Sequence, residues 1–188
     1  DILPFRFTNM VDNIATFIES NKKLAEDVTK KTDERNNLLD LKAFTIAGNP
    51  KKTYLPPQRL DEVPSFDFSS LDAAFVRLNA SAWNYEKALS KLQKGSLSAA
   101  KKSEINNILK NVDQAMVSDG GLPRRDWFKN MIYAPGFYTG YGVKTLPGIR
   151  EGLEQRNWNE VDTYIQEVAK ALDRAAAKIN MASNILSR

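Results

Sequence analysis

Histidine and cysteine are both absent from the 188 residues, and each absence removes a class of chemistry. Zinc sites in enzymes draw on His and Cys together with carboxylates, and acyl-transfer triads commonly take His as the base. Neither set can be assembled from this chain. Without cysteine no disulfide constrains the fold, and cysteine usage says nothing about the redox compartment. No uninterrupted apolar run approaches the roughly 18 residues that a membrane helix needs. A concentrated basic block is missing as well: the net charge is +4, but Lys and Arg are interspersed with acids, which offers little support for nucleic-acid binding. Neither an initiator methionine nor a signal sequence stands at Asp1, which points to a piece excised from a longer protein.

What is present is amphipathic helix. Hydrophobic content of 42% and charged content of 27% are ordinary for a globular protein, and the length suits one domain over residues 1–188. Ile2-Leu3-Pro4-Phe5 reads as an extended entry. A first helix, capped by Thr8 or Asn9, carries Val11, Ile14, Phe17, Ile18, Leu24 and Val28 at helical spacing. After a charged stretch, Leu38, Leu39, Leu41, Phe44 and Ile46 restore an apolar face before Gly48-Asn49-Pro50, so this helix is long or broken once. Four prolines between Asn49 and Ser65 mark a connecting loop. A second helix starts at Asp67 or Ser69 and runs to Lys94-Gly95, with Leu71, Ala74, Phe75, Leu78, Ala82, Tyr85, Leu89 and Leu92 inward. A third follows Ser96 or Ser98, with Ile105, Ile108, Leu109, Val112, Ala115 and Met116 inward, and ends at Asp119-Gly120-Gly121. Pro147 opens a short helix to about Arg156. In the last helix Asn157 and Glu160 have capping-box spacing, and Val161, Ile165, Val168, Leu172, Ala175, Ile179, Ala182 and Leu186 form a seam that wants a neighbouring helix. With no convincing strand between them, these segments indicate an all-α fold: an antiparallel four-helix bundle with a long ordered loop between the third and fourth helices.

The loop, from Asp119 to Pro147, concentrates much of the chain's glycine and aromatic content. Connections longer than about 12 to 15 residues without regular structure are uncommon unless functional or disordered. Its Trp, Phe, Tyr, Ile and Leu content argues against disorder. Two readings remain: a functional loop on a helical scaffold, or a plug for one end of the bundle. Arg124, Arg125 and Asp126 fit an anion site or a helix-capping ion pair, and Trp127 and Phe128 read as core anchors. Tyr133, Tyr138 and Tyr141 with Lys144 offer hydroxyls and an ammonium suited to a carboxylate, although packed tyrosines and a solvated lysine have the same sequence. The pairs Asp33/Glu34 and Asp61/Glu62 are surface carboxylates without an acid–base partner.

The block from Tyr133-Ala134-Pro135 to Leu146-Pro147-Gly148-Ile149 resembles the C-terminal domain of the transferrin receptor and glutamate carboxypeptidase family. Leu3-Pro4-Phe5, Ser65-Phe66-Asp67, Gly121-Leu122-Pro123 and the alanine-rich last helix occur in the order that family shows. The match is strong from Gly121 to Ile179 and loose from Lys30 to Val63, where extra residues stand. The resemblance implies a helical homodimerisation domain that follows a zinc-dependent peptidase domain, its upstream partner, in an extracytoplasmic protein. Zinc would then belong to that peptidase domain, and this chain alone would hold no cofactor, no catalytic residue and no membrane contact. In the peptidase members a lysine-tyrosine pair on this loop binds the substrate's C-terminal carboxylate. Tyr141 falls at the tyrosine and Gly140 at the lysine, leaving Lys144 as a replacement cation for an acidic peptide. The rival readings are the same domain of a non-catalytic receptor-type relative and a free-standing helical binding module.

Overall fold

The computed structural model describes residues 1–46, 48, 51, 55–92 and 97–187. Helix α1 covers Thr8–Asp40 and a single turn, α2, covers Ala43–Ile46. Helix α3 is Ser69–Ser90, α4 is Ala99–Lys110, and a 3-10 turn occupies Asp113–Met116. Two short strands follow, β1 at Tyr133–Pro135 and β2 at Val143–Thr145, then α5 at Pro147–Glu154 and α6 at Trp158–Leu186. The molecule is mostly helical, as the apolar spacing requires. The expected ends of the second helix at Lys94-Gly95 and the Asn49-Pro50 stop lie outside the described residues.

Helix α6 organises the rest. Every residue of its predicted seam, from Val161 to Leu186, is buried. It packs most extensively on α3, and also on α5, α4 and the 3-10 turn. Alanines on both partners, Ala74 and Ala82 on α3 and Ala171, Ala175 and Ala182 on α6, are fully buried and let the two backbones approach closely. Phe66 meets Trp158 with ring centroids 5.8 Å apart, and Arg77 pairs with Asp173 at 2.7 Å, so α3 and α6 run in the same direction. Helix α1 runs opposite to α3: Thr8 bonds Glu86 near one end, and Lys22 bonds Asp72 near the other.

Local readings needed several corrections. Thr8 is the first helical residue and not a cap; its backbone N–H donates to the Glu86 carboxylate of α3 at 3.2 Å, so the cap comes from another helix. From the last turns of α1 into α2, Leu38, Leu41 and Ile46 are exposed, while Thr32 and Asn36 of α1 are buried. Asn36 exchanges two bonds with the backbone of Leu60, and Arg156 donates to Thr32 and to the Asp61 carbonyl. A proline-containing segment with free backbone groups lies against this face, and polar side chains satisfy it where leucines could not. The third helix stops at Lys110; Val112, Ala115 and Met116 stay buried through the tighter 3-10 turn, not through continued α-helix. Ser98 does cap it, accepting from the Lys101 N–H. Asn157 makes no side-chain cap bond: its carbonyl accepts the Glu160 N–H at 3.1 Å, its own N–H donates to Gly152 O at 2.8 Å, and the Glu160 carboxylate pairs with Arg124 at 2.6 Å. The Asp119–Pro147 connection is ordered, but it contains an antiparallel hairpin that pairs Tyr133 with Thr145 and Pro135 with Val143.

Candidate functional site

The connection between α4 and α6 is built in two tiers. The lower tier folds back on itself: Ser118 N–H donates to Lys129 O, Leu122 N–H to Phe128 O, and Met131 N–H returns to Met116 O. Gly121 sits at φ +62, and a Cβ there would lie 2.1 Å from the Asp126 carbonyl oxygen, so no side chain fits this turn. Helix α6 holds the tier from below. Tyr164 donates its hydroxyl to Gly121 O at 2.7 Å, Arg174 donates to the carbonyls of Ala115 and Val117, and Glu167 accepts from Ser118. Burial raises the Tyr164 pKa, keeping this hydroxyl a donor. Lys170 and Ser118, both donating to Glu167, lower its pKa.

The upper tier is the β1–β2 hairpin. Its tip, Gly136 to Gly142, is closed by Gly136 N–H to Gly142 O at 2.8 Å and Gly140 N–H to Gly136 O at 3.0 Å. Asn130 accepts from the backbone N–H groups of Ile132 and Tyr133, which starts β1 at a set angle. At the other end Leu146, fully buried at φ 46, donates its N–H to Ile132 O at 2.7 Å and turns the chain into α5. Gly148 then packs so close to the Tyr164 ring that a Cβ would sit 2.2 Å from it.

A buried ion pair fastens the hairpin to α5. The Arg125 and Glu151 side chains are 3% and 4% exposed and meet at 2.6 Å. Arg125 also donates to the Pro135 carbonyl at the end of β1, and the second Glu151 oxygen accepts from the Phe137 N–H at 2.8 Å. One guanidinium and one carboxylate therefore tie the lower tier, the last residue of β1 and the first half of the tip to a single helix. The rings of Phe128 and Phe137 flank the Arg125 guanidinium at 5.6 and 5.9 Å. Arg124 lies over the same Phe137 ring and grips Glu160 in the first turn of α6 with two bonds. The arginine pair is thus structural, committed to carboxylates of its own chain.

Trp127 and the three tyrosines of this connection face outward. Trp127 is 70% exposed, so the expectation of a core anchor fails for it; Phe128 alone of that pair packs on the core. Tyr133, Tyr138 and Val143 are exposed, and Tyr141 projects fully from the tip. A shallow recess of about 450 Å³ lies between Phe128, Asn130, Pro135, Tyr141 and Val143. Lys144 points away from this surface and bonds both oxygens of Glu154 at 2.8 Å, a carboxylate it shares with Arg150. Tyr141 and Lys144 are therefore on one hairpin but in different surroundings, one free and one paired. Among the described residues no cluster of carboxylates has metal-ligand geometry, and the side chains present do not fit a zinc ion.

Residues 66–180 match the family model of the transferrin receptor-like dimerisation domain. The chain belongs to that family. Within this dimerisation-domain family, a probable glutamate carboxypeptidase of Arthroderma benhamiae is 33% identical over 113 residues, which is 60% of this chain and 16% of the relative. A probable glutamate carboxypeptidase of Arabidopsis thaliana is 31% identical over 85 residues, 42% of this chain and 12% of the relative. An inactive zinc metalloprotease of Schizosaccharomyces pombe is 25% identical over 137 residues, 66% of this chain and 17% of that protein. The dimerisation-domain chain thus spans well under a fifth of the length of these relatives. Sequence reasoning missed Glu151 and Glu154 as partners of the hairpin; their position on α5, three residues apart on a short helix under the loop, was the available signal.

Proposed function

We propose that this chain homodimerises a larger, extracytoplasmic glutamate-carboxypeptidase-like protein and that its hairpin tip completes the substrate pocket of an upstream zinc peptidase domain. We read the helices as a four-helix bundle in which α1 runs antiparallel to α3, while α3 and α6, the most extensively packed pair, run parallel. The observation that carries the pocket role is the fully exposed Tyr141 on a tip whose base is held by the buried Arg125–Glu151 pair. A hydroxyl held outward on a rigid support loses little freedom when it binds. Tyr141 is the donor to an acidic peptide's C-terminal carboxylate. Lys144 would have to leave Glu154 to add its charge, so it contributes less. The other exposed rings of the hairpin form an apolar surface of the kind a neighbouring domain covers.

Tyr141→Phe in the full-length protein tests this. Loss of one hydrogen bond to a charged group is expected to weaken binding of peptides with acidic C-termini by roughly 1.5–3 kcal/mol, with the thermal midpoint unchanged. Unchanged affinity in a folded protein excludes the pocket role. A non-catalytic parent is the second reading, favoured by Gly140 at the position of the family lysine and by the yeast relative described as inactive. Hydrolysis of a glutamate-terminated peptide by the full-length protein separates the two.

A further inference from the structure

Helix α3 is apolar on two faces, and only one of them is used by the fold. Leu71, Ala74, Leu78, Ala82 and Tyr85 are fully buried. On the opposite side Ala73, Val76, Ala80 and Trp83 follow at spacings of three, four and three residues, all exposed, with Val76 and Trp83 each at 64%. A scattered surface hydrophobe carries no information, but four in register over three turns form the seam by which one helix takes another. This inference rests on the dimerising role proposed above and names the surface. We infer that the outer stripe of α3 is where a second copy of this chain seats, α3 against α3, antiparallel about a two-fold axis.

Side-chain size and charge both select that occupant. Small and large residues alternate along the stripe. An antiparallel copy centred near Leu78 sets Trp83 of each copy over Ala73 of the other, and Val76 over Ala80, so every layer joins one large and one small side chain. Just before α3 stands the exposed Asp67 and in its last turn the exposed Lys87, neither of them ion-paired within the described residues. Antiparallel seating brings the acidic end of one copy to the basic end of the other, whereas a parallel pair would set like charges together. A two-fold contact must also be complementary to itself, and this stripe is. The stripe alone is smaller than the roughly 1,200 Å² that a stable interface buries. The flank of α6 that follows Asp173, the partner of Arg77, extends it through Ala177 to Met181, which is 50% exposed.

The test uses the full-length protein. Sedimentation velocity across a concentration series is expected to give a dimer for the natural sequence. The double variant Val76→Asp/Trp83→Asp should raise the dissociation constant by 30-fold or more, a loss typical of a buried aromatic anchor, with helical circular dichroism unchanged. Independently, Ala80→Cys treated with a short bismaleimide should cross-link two copies, while Glu104→Cys on α4 should not. Those results support the assignment. A dimer of unchanged affinity in the double variant, with no cross-link through position 80, overturns this surface and leaves the dimerising role standing. A natural protein that is monomeric throughout overturns both.

Discussion

Tyr85 is the largest side chain sealed in the core, and its hydroxyl has no partner among the described residues. The edge of the Phe7 ring packs against it at 5.3 Å. Burial, with the nearby Glu86 carboxylate second, pushes its pKa up to about 12. Below pH 10 the tyrosine is neutral in folded and unfolded chains alike, and its burial is fully tolerated. Between pH 10 and 12 the unfolded chain ionises first and binds fewer protons, so stability falls with rising pH, by on the order of 2 kcal/mol at the upper end. Tyr85→Phe should therefore be neutral or stabilising at pH 7, since it removes an unpaired buried hydroxyl. It should also flatten the alkaline loss, measured by urea unfolding at pH 8 and pH 11. A variant that loses stability over that range as steeply as the natural protein would show that Tyr85 is not the source. At this scale the spacing of residues placed Tyr85 inward correctly. It could not reveal that the hydroxyl is unpaired, because pairing depends on atoms from other helices.

The hairpin is the element whose behaviour depends most on one interaction. Removing one partner of a buried ion pair leaves the other charge unpaired and typically costs about 3–5 kcal/mol, whereas replacing both with apolar groups costs less. Arg125→Met and Glu151→Leu are each expected to lower stability by that amount in chemical denaturation, and the double variant by clearly less than their sum. Equal and additive losses would mean the two side chains do not act as a unit. The same element shows what local patterns hide. Strands of three residues are too short for a period-two signal, so β1 and β2 read as loop. Trp127 reads as a core anchor by composition and is exposed, because the turn set by Gly121 and Asp126 directs the following residue outward. Asn157 and Glu160 have the spacing of reciprocal caps, but the Asn157 N–H goes to Gly152 O and a charge-assisted bond from Arg124 takes the glutamate.

At the scale of the molecule, α6 packs on α3, α4, α5 and the 3-10 turn, whereas the hairpin strands contact each other and, through β2, α5. Local opening follows that difference. Native-state hydrogen exchange should find the slowest amides in the α3–α6 pair around Leu78 and Leu172, and the amides of Tyr138, Thr139 and Gly142, which have no backbone hydrogen bond among the described residues, exchanging orders of magnitude faster. The Phe137 amide, bonded to Glu151, should stand apart as protected within the tip, and Glu151→Gln should lower that protection. Slow exchange throughout the tip would contradict this hierarchy. The periodicity of apolar residues determined by itself where the long helices lie and which faces they bury, because a helix repeats every 3.6 residues whatever surrounds it. The Tyr-Ala-Pro and Leu-Pro-Gly block likewise carried the kinship. Only the tertiary structure decided which charges pair, that Arg125 meets Glu151, that Lys144 is held by Glu154 and that Tyr133, Tyr138 and Tyr141 face outward. Those outcomes depend on distances between residues far apart in the chain, and local spacing contains no information about them.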